Sequence, residues 1–176
     1  MDGDGRPGRH RSVPSVTVRR LSPDDWPIWR ALRLRALADS PEAFGATLAY
    51  WSGEGDTEAR WRARLSDVPL NLVAELDGVA AGMTSGTAPA EGRVELISMW
   101  VAPEARGRGI GTELVGVVEE WAKDQGVGVV ALDVREANAR AIALYRRHGF
   151  VDVGRSPASD VGAPERRMEK PLSGAG

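Results

Sequence analysis

The chain predicts an α+β fold, a single mixed sheet of six to seven strands flanked by about four helices in the order βααβββαβαββ. Three observations carry that expectation. Asp77-Gly78 sits between two apolar runs and is a two-residue hairpin signal, so the early strands pair antiparallel. Later in the chain apolar strands alternate with amphipathic helical stretches, the pattern that builds parallel pairs through crossovers. Residues 127–134 are an almost unbroken apolar run, as in a strand buried on both faces. A chain of 176 residues is long enough for one domain with a substantial core, expected over residues 16–171.

The elements follow in order. Residues 1–15, rich in Gly, Arg and Pro, read as a disordered tail, and 172–176 as a flexible end. Residues 16–20 alternate and are β-branched, a first strand. Ser22-Pro23-Asp24-Asp25 is a helix start, and regular helix is expected from Trp26 or Pro27 to Ala38. Trp29, Leu32, Ala36 and Leu37 form its buried stripe, with Arg30, Arg33 and Arg35 on the solvated side. A connection over 39–45 leads to a second helix capped by Thr57 and anchored by Trp61 and Leu65. Strands are expected over 70–76, 79–87 and 93–101. Ile110, Leu114, Val117 and Trp121 then recur at helical spacing until Gln125-Gly126. After the buried strand at 127–134, Asn138 caps a helix over 139–148, and Gly149 takes the left-handed position behind it. Strands at 150–153 and 166–170 close the sheet around a Gly/Pro-rich loop at 156–164.

Composition narrows the function. Lysine and arginine number 23 against 25 acids, a net charge of −2, so no general nucleic-acid footprint is indicated. Lys123 and Lys170 are the only lysines, which restricts Schiff-base chemistry. There is no cysteine, so disulfides, thiolate metal sites and a cysteine acyl-enzyme are excluded. No apolar run is long enough to span a bilayer and the N-terminal residues do not resemble a secretory signal, so a cytoplasmic protein without membrane attachment is expected. Nothing in the sequence resembles a metal site.

The most informative stretch lies between the strand at 93–101 and the helix that follows it. Its glycines, Gly107, Gly109 and Gly111, stand at alternate positions. They allow a tight bend and a close approach of backbone to ligand. The next helix points its unbonded N–H groups and the positive end of its dipole into that bend. Such a turn suits a phosphate or pyrophosphate. A Walker loop needs a lysine that is absent here, and a dinucleotide fingerprint needs its third glycine one position later than Gly111. A ligand-free solvent turn is the remaining alternative.

Arg106-Gly107-Arg108-Gly109-Ile110-Gly111 resembles the Arg/Gln-x-x-Gly-x-Gly/Ala signature of the GNAT superfamily of N-acetyltransferases. Met99-Trp100-Val101-Ala102-Pro103-Glu104-Ala105 before it, and the stretch from Asn138 through Tyr145 to Gly149-Phe150, are similar to that family as well. The resemblance implies a GNAT-like acyl-CoA acyltransferase fold that binds acetyl-CoA as co-substrate and uses no metal. It implies that Met99, Trp100 and Val101 line the pantetheine arm. Arg106, Gly107, Arg108, Gly109, Ile110, Gly111 and Thr112 would hold the pyrophosphate, and Asn138 would touch the arm. Tyr145 would protonate the leaving thiolate, a transfer between groups of similar acidity. Seven residues separate it from Asn138, placing both on one helix face.

Glu95 is the expected general base, since even spacing puts it on the sheet face of Val101, with Ile97 and Met99. Asp133 is the second choice, because related protein N-terminal acetyltransferases carry an acid there. His148 reads as a helix-end cation. The acceptor is expected among Phe44, Tyr50, Trp51, Trp61 and the 156–164 loop, with Glu42, Glu54 or Asp160 to attract an amine. The implied reaction is direct attack in a ternary complex by the primary amine of a small molecule, with a peptide or protein N-terminus as the alternative acceptor. A non-catalytic acyl-CoA sensor is the competing class, and a homodimer is compatible with the family.

Overall fold

A computed structural model of the protein describes residues 13–159 and 163–173. The N-terminal residues 1–12, with Arg6, Arg9, Arg11 and His10, and Asp160 lie outside the described residues. The chain runs β1 (Val16–Arg20), α1 (Trp26–Asp39), α2 (Leu48–Trp51), α3 (Glu58–Asp67), β2 (Leu70–Leu76), β3 (Val79–Gly86), β4 (Arg93–Val101), α4 (Ile110–Asp124), β5 (Val129–Arg135), α5 (Ala139–Arg147), β6 (Val151–Arg155) and β7 (Glu165–Pro171). The short α2 is the one helix that periodicity did not indicate, since four residues are too few to show a helical period. Pro27 fits inside α1 because it stands in the first turn, where backbone N–H groups have no helical acceptor.

One seven-stranded sheet orders its strands β1-β2-β3-β4-β5-β7-β6. Asp77 and Gly78 both take positive φ, 51° and 81°, and close the β2–β3 hairpin with Leu76 opposite Val79. Only β4 and β5 run parallel, and they pair over just three positions, Arg93 with Val129 through Glu95 with Ala131. Beyond Glu95 the two strands diverge. The upper half of β4 and the end of β5 therefore form the sides of a wedge-shaped opening in the sheet.

Helix α4 covers β1 to β4 on one face, while α1 and α3 pack on the other, where α1 meets β3. Leu114, Val115 and Val118 of α4 are fully buried, and each stabilises the fold by roughly 1.5–3 kcal/mol. Gly82 of β3 is what lets α4 sit this close, because a Cβ there would stand 2.8 Å from Ile110 Cγ2. On the opposite face Trp29, Leu32, Ala36 and Leu37 of α1 are buried, as their spacing indicates. Arg33 is the exception to the solvated side: it lies inside, 9% exposed. His148 also departs from its expected role. Burial lowers its pKa, which favours the neutral ring over a helix-end cation. No helix of the described residues is long and apolar enough to cross a membrane.

Candidate active site

The glycine turn is held by its own backbone. Gly107 and Gly109 take φ of 75° and 81°, and Gly109 is the left-handed residue from which α4 starts. No side chain caps that start. Among the described residues none of the N–H groups of residues 107–112 meets a protein acceptor; the first bond of the helix runs from Glu113 N–H to Gly109 O, 3.0 Å. A run of unsatisfied donors at the positive end of a 15-residue helix is an anion cradle. Gly111 is required by packing, since a Cβ there would lie 2.9 Å from Leu144 Cδ2 on α5.

The two arginines of the turn divide. Arg106 is tied down: its Nε donates to Val101 O at 3.0 Å and its Nη2 to Asp39 Oδ2 at 2.9 Å. The same Asp39 oxygen accepts from Trp100 Nε1 at 3.1 Å. That bond first, then Ser40 and Arg106, holds the Asp39 carboxyl below its ordinary pKa. Arg106 thus fastens the turn to the end of α1 and to the tip of β4. Arg108 is exposed and stands off the cleft wall, so its expected place beside a pyrophosphate is not where the structure puts its side chain.

From the turn a cleft of about 570 Å³ runs into the opening between β4 and β5. Met99, Trp100 and Val101 line one side and Asn138, Ala141 and Leu144 the other. Asn138 Oδ1 accepts from Ala141 N–H at 3.2 Å, so this residue caps α5 and faces the cleft at once. Its backbone is not helical, with φ −86° and ψ 69°, so the spacing of two helical turns to Tyr145 does not apply. Tyr145 is buried against Phe150, ring centroids 5.7 Å apart, and is not on the cleft wall. Burial also pushes its hydroxyl pKa well above the ordinary value. The expected match in acidity between Tyr145 and a thiol is therefore not what this environment provides.

The strand register corrects the placement of Glu95. Ser85 pairs with Ile97 and Met83 with Trp100, so between these pairs one residue of β3, Thr84, opposes two of β4, Ser98 and Met99. The extra residue is a bulge at Ser98, whose φ is 57°. Thr84 Oγ1 donates to Ile97 O at 3.0 Å, satisfying a carbonyl that the ladder loses there. Because the bulge shifts the alternation by one, Glu95 shares its face with Ile97 and Trp100 and opposes Val101. That face is the one covered by α1 and α3.

Glu95 opens onto a second cavity, about 490 Å³, between the β3–β4 turn and the β6–β7 strands. There Arg167 of β7 binds both carboxylates proposed as base: Nη2 pairs with Glu95, and Nη1 lies 3.2 Å from Asp133 Oδ2. Of the aromatics expected around the acceptor, Phe44 lines the cleft, as does Glu42. Trp51 and Trp61 stack at 4.6 Å as part of the packing under α3, and Tyr50 is 61% exposed. Ala163 and Pro164 bring the last loop to the cleft, where Glu54 has no part.

Arg135, Arg140 and Arg147 also border the cleft. Arg140 and Arg147 are exposed and form no ion pair among the described residues. Their seven-residue spacing on α5 was the available signal, since it puts two cations on one helix side. Among the described residues no group of three or more His, Asp or Glu side chains is placed to hold a metal ion.

The sequence matches the family described as the acetyltransferase (GNAT) family over residues 29–150. A relative, the mycothiol acetyltransferase of Cellulomonas flavigena, is 32% identical over 155 residues, which are 82% of this chain and 43% of that protein. The chain thus spans less than half the length of the mycothiol acetyltransferases it matches. Among solved structures it is similar to an acetyltransferase of the GNAT family from Streptococcus pneumoniae, with TM-score 0.74 and 22% identity over 90% of this chain and all of that one. It is also similar to the PaiA N-acetyltransferase of Thermoplasma acidophilum in complex with coenzyme A, with TM-score 0.70 and 20% identity over 89% of this chain and 99% of that one. At these identities the structural likeness concerns the fold. Family match, mixed splayed sheet and glycine turn agree: the chain belongs to the GNAT acetyltransferase family.

Proposed function

We propose that the protein transfers an acetyl group from acetyl-CoA to the primary amine of a small molecule, within a ternary complex. The observation that carries this reading is the row of unbonded N–H groups from Gly107 to Thr112 at the mouth of a cleft that enters the opened sheet. A pyrophosphate satisfies those donors, and the cleft leads from there to the tip of β4. Family relationship supports the identity of the donor, since the PaiA structure was solved with coenzyme A.

In this reading the residues divide the work. Backbone N–H groups of residues 107–112 grip the pyrophosphate, while Met99, Trp100, Val101 and Asn138 border the arm. A backbone N–H at the end of β4 stabilises the oxyanion that develops on the thioester carbonyl. The amine nitrogen attacks that carbonyl carbon, the carbon–sulfur bond breaks, and the thiolate takes a proton from water in the cleft, or from Tyr145 once the bound arm reaches its hydroxyl behind the cleft wall. Burial raises the Tyr145 pKa, which makes its hydroxyl a weaker acid than a free tyrosine, so donation to the thiolate requires the bound arm to open its surroundings. The proton leaving nitrogen passes through water to Glu95 or Asp133, which Arg167 holds side by side.

The relatives that cover most of the chain are named for mycothiol, and this favours a small acceptor. A peptide N-terminus is the second reading, on the strength of Asp133 sharing the Arg167 guanidinium with Glu95. Because the chain has no cysteine, the enzyme contributes no thiol, and with acceptors that carry none released CoA is the only free thiol in the reaction. Thiol release is therefore a clean assay across small amines and short peptides. Release with small amines, reduced about tenfold or more by Tyr145→Phe with acetyl-CoA affinity intact, is expected. Tight acetyl-CoA binding without release on every acceptor would leave a sensor instead.

A further inference from the structure

Most arginines in this fold have a carboxylate. Arg30 holds Asp56, Arg106 holds Asp39, and Arg167 holds Glu95 and Asp133. Two that face the interior do not, Arg33, which is buried, and Arg64, which is half-buried. Arg33 of α1 is 9% exposed, makes no hydrogen bond among the described residues, and leaves Nη1 with neither acceptor nor solvent. Its guanidinium lies 4.6 Å from the centre of the Phe44 ring. Arg64 of α3 reaches only neutral oxygens, Asn71 Oδ1 at 3.0 Å, Ser85 Oγ at 3.2 Å and Ser98 Oγ at 3.4 Å, and lies over Trp29.

Burial first, and then the charge of Arg64, pushes the Arg33 pKa down to about 10. Burial does the same to Arg64, also to about 10, against a weaker pull from Asp67. Two like charges taken out of water with no anion between them are costly, and aromatic faces and neutral oxygens offset that cost only in part.

Their place in the fold gives the pair a use. Arg64 reaches the β4 bulge at Ser98, the residue before Met99, which lines the cleft, and three after Glu95, which lines the charged cavity. Arg33 stands behind Phe44, itself a wall of the cleft. The charged cavity is a poorer anion site, because Arg167 and Arg93 there are already paired with carboxylates, Glu91 adds a further negative charge, and Arg155 is exposed to solvent.

We propose that Arg33 and Arg64 form an anion subsite for the acceptor, and that the acceptor is an amine carrying a carboxylate. This rests on the reading of the protein as an acetyltransferase with an amine acceptor. A planar carboxylate matches the guanidinium fork, and the hydroxyl of Ser98 supplies a neutral donor beside it, while that of Ser85 is already given to Asn71 Oδ1 at 2.8 Å. Arg64, the more open of the two, meets the carboxylate directly, and Arg33 adds the second charge from behind Phe44.

The test uses the full chain saturated with CoA, so that binding is read without turnover. Amino acids are titrated calorimetrically beside their carboxamides. The acids are expected to bind about tenfold more tightly than the amides or better, as for a charge-assisted contact. Arg64→Met and Arg33→Met should erase that preference with CoA affinity unchanged. Arg33→Met should also keep or raise Tm, because it removes a buried unpaired charge.

Equal binding of acids and amides, or no binding of either, overturns the proposal. So does an acid preference that survives both substitutions. A fall in Tm for Arg33→Met with the preference intact assigns the pair to packing and overturns it as well. Thiol release on the same panel separates the two levels: acid preference without release removes acetyl transfer and keeps the anion subsite, whereas equal release from acids and amides does the reverse.

Discussion

The glycine turn and the arginine pair treat unsatisfied polarity in opposite ways. In the turn, neutral N–H groups are left without protein partners at the edge of a cleft, where water satisfies them until a ligand arrives. Leaving them open costs little. In the arginine pair, full charges are left without anions inside the fold, where water reaches poorly and the cost is large. The first arrangement needs only local geometry, three glycines and a helix start. The second needs α1, α3, β3 and β4 to converge, since Arg33, Arg64, Ser85 and Ser98 come from four separate elements.

Substitutions can separate the two regions. Gly109→Val forces a β-branched side chain into φ of 81° and turns the free N–H groups away from their common centre. Acetyl-CoA affinity is expected to fall about 100-fold, roughly 2.7 kcal/mol, with calorimetric titration as the check. Binding of carboxylates at the arginine pair should survive it. The space around Gly109 is open, so the loss comes from backbone strain alone and Gly109→Ala should do less.

Asp39→Asn comes next. Asp39 joins Trp100 Nε1 and Arg106 Nη2, so the substitution loosens the turn from the end of α1. About 1 kcal/mol of stability should be lost in urea unfolding at pH 7, a figure lowered by partial exposure of the carboxylate. The Asp39 carboxyl has a pKa below its ordinary value in the fold, so its contribution is present above the unfolded value and disappears as pH falls through the folded one. The difference between wild type and Asp39→Asn should therefore shrink on acidification below pH of about 4. A difference that stays constant to low pH would take Asp39 out of the account.

What the sequence disclosed follows the same division. The turn was legible because its determinants are contiguous: glycines at alternate positions, a proline before them and an amphipathic run after them. Strand β4 was bounded correctly at Arg93–Val101, yet the bulge within it was not visible, because Ser98 carries no turn signature and its positive φ arises from pairing with β3. That single residue inverted the expected face of Glu95. Arg33 was placed on the solvated side because polarity was read as exposure, while in the fold its guanidinium packs on Phe44 of the connection after α1 and feels the charge of Arg64 on α3. Tyr145 was found by motif, but its burial depends on Phe150 folding back after Gly149. The same holds for Arg167, which joins Glu95 of β4 to Asp133 of β5 from a strand more than thirty residues away.

The account has donor and acceptor occupying separate sites together, with the amine attacking the thioester directly. Initial velocities measured while varying acetyl-CoA against a turned-over amine test this most directly. Intersecting lines in the double-reciprocal plot are predicted, as for a ternary complex. Parallel lines, the signature of an acetylated enzyme in a chain with no cysteine to carry the group, would contradict it.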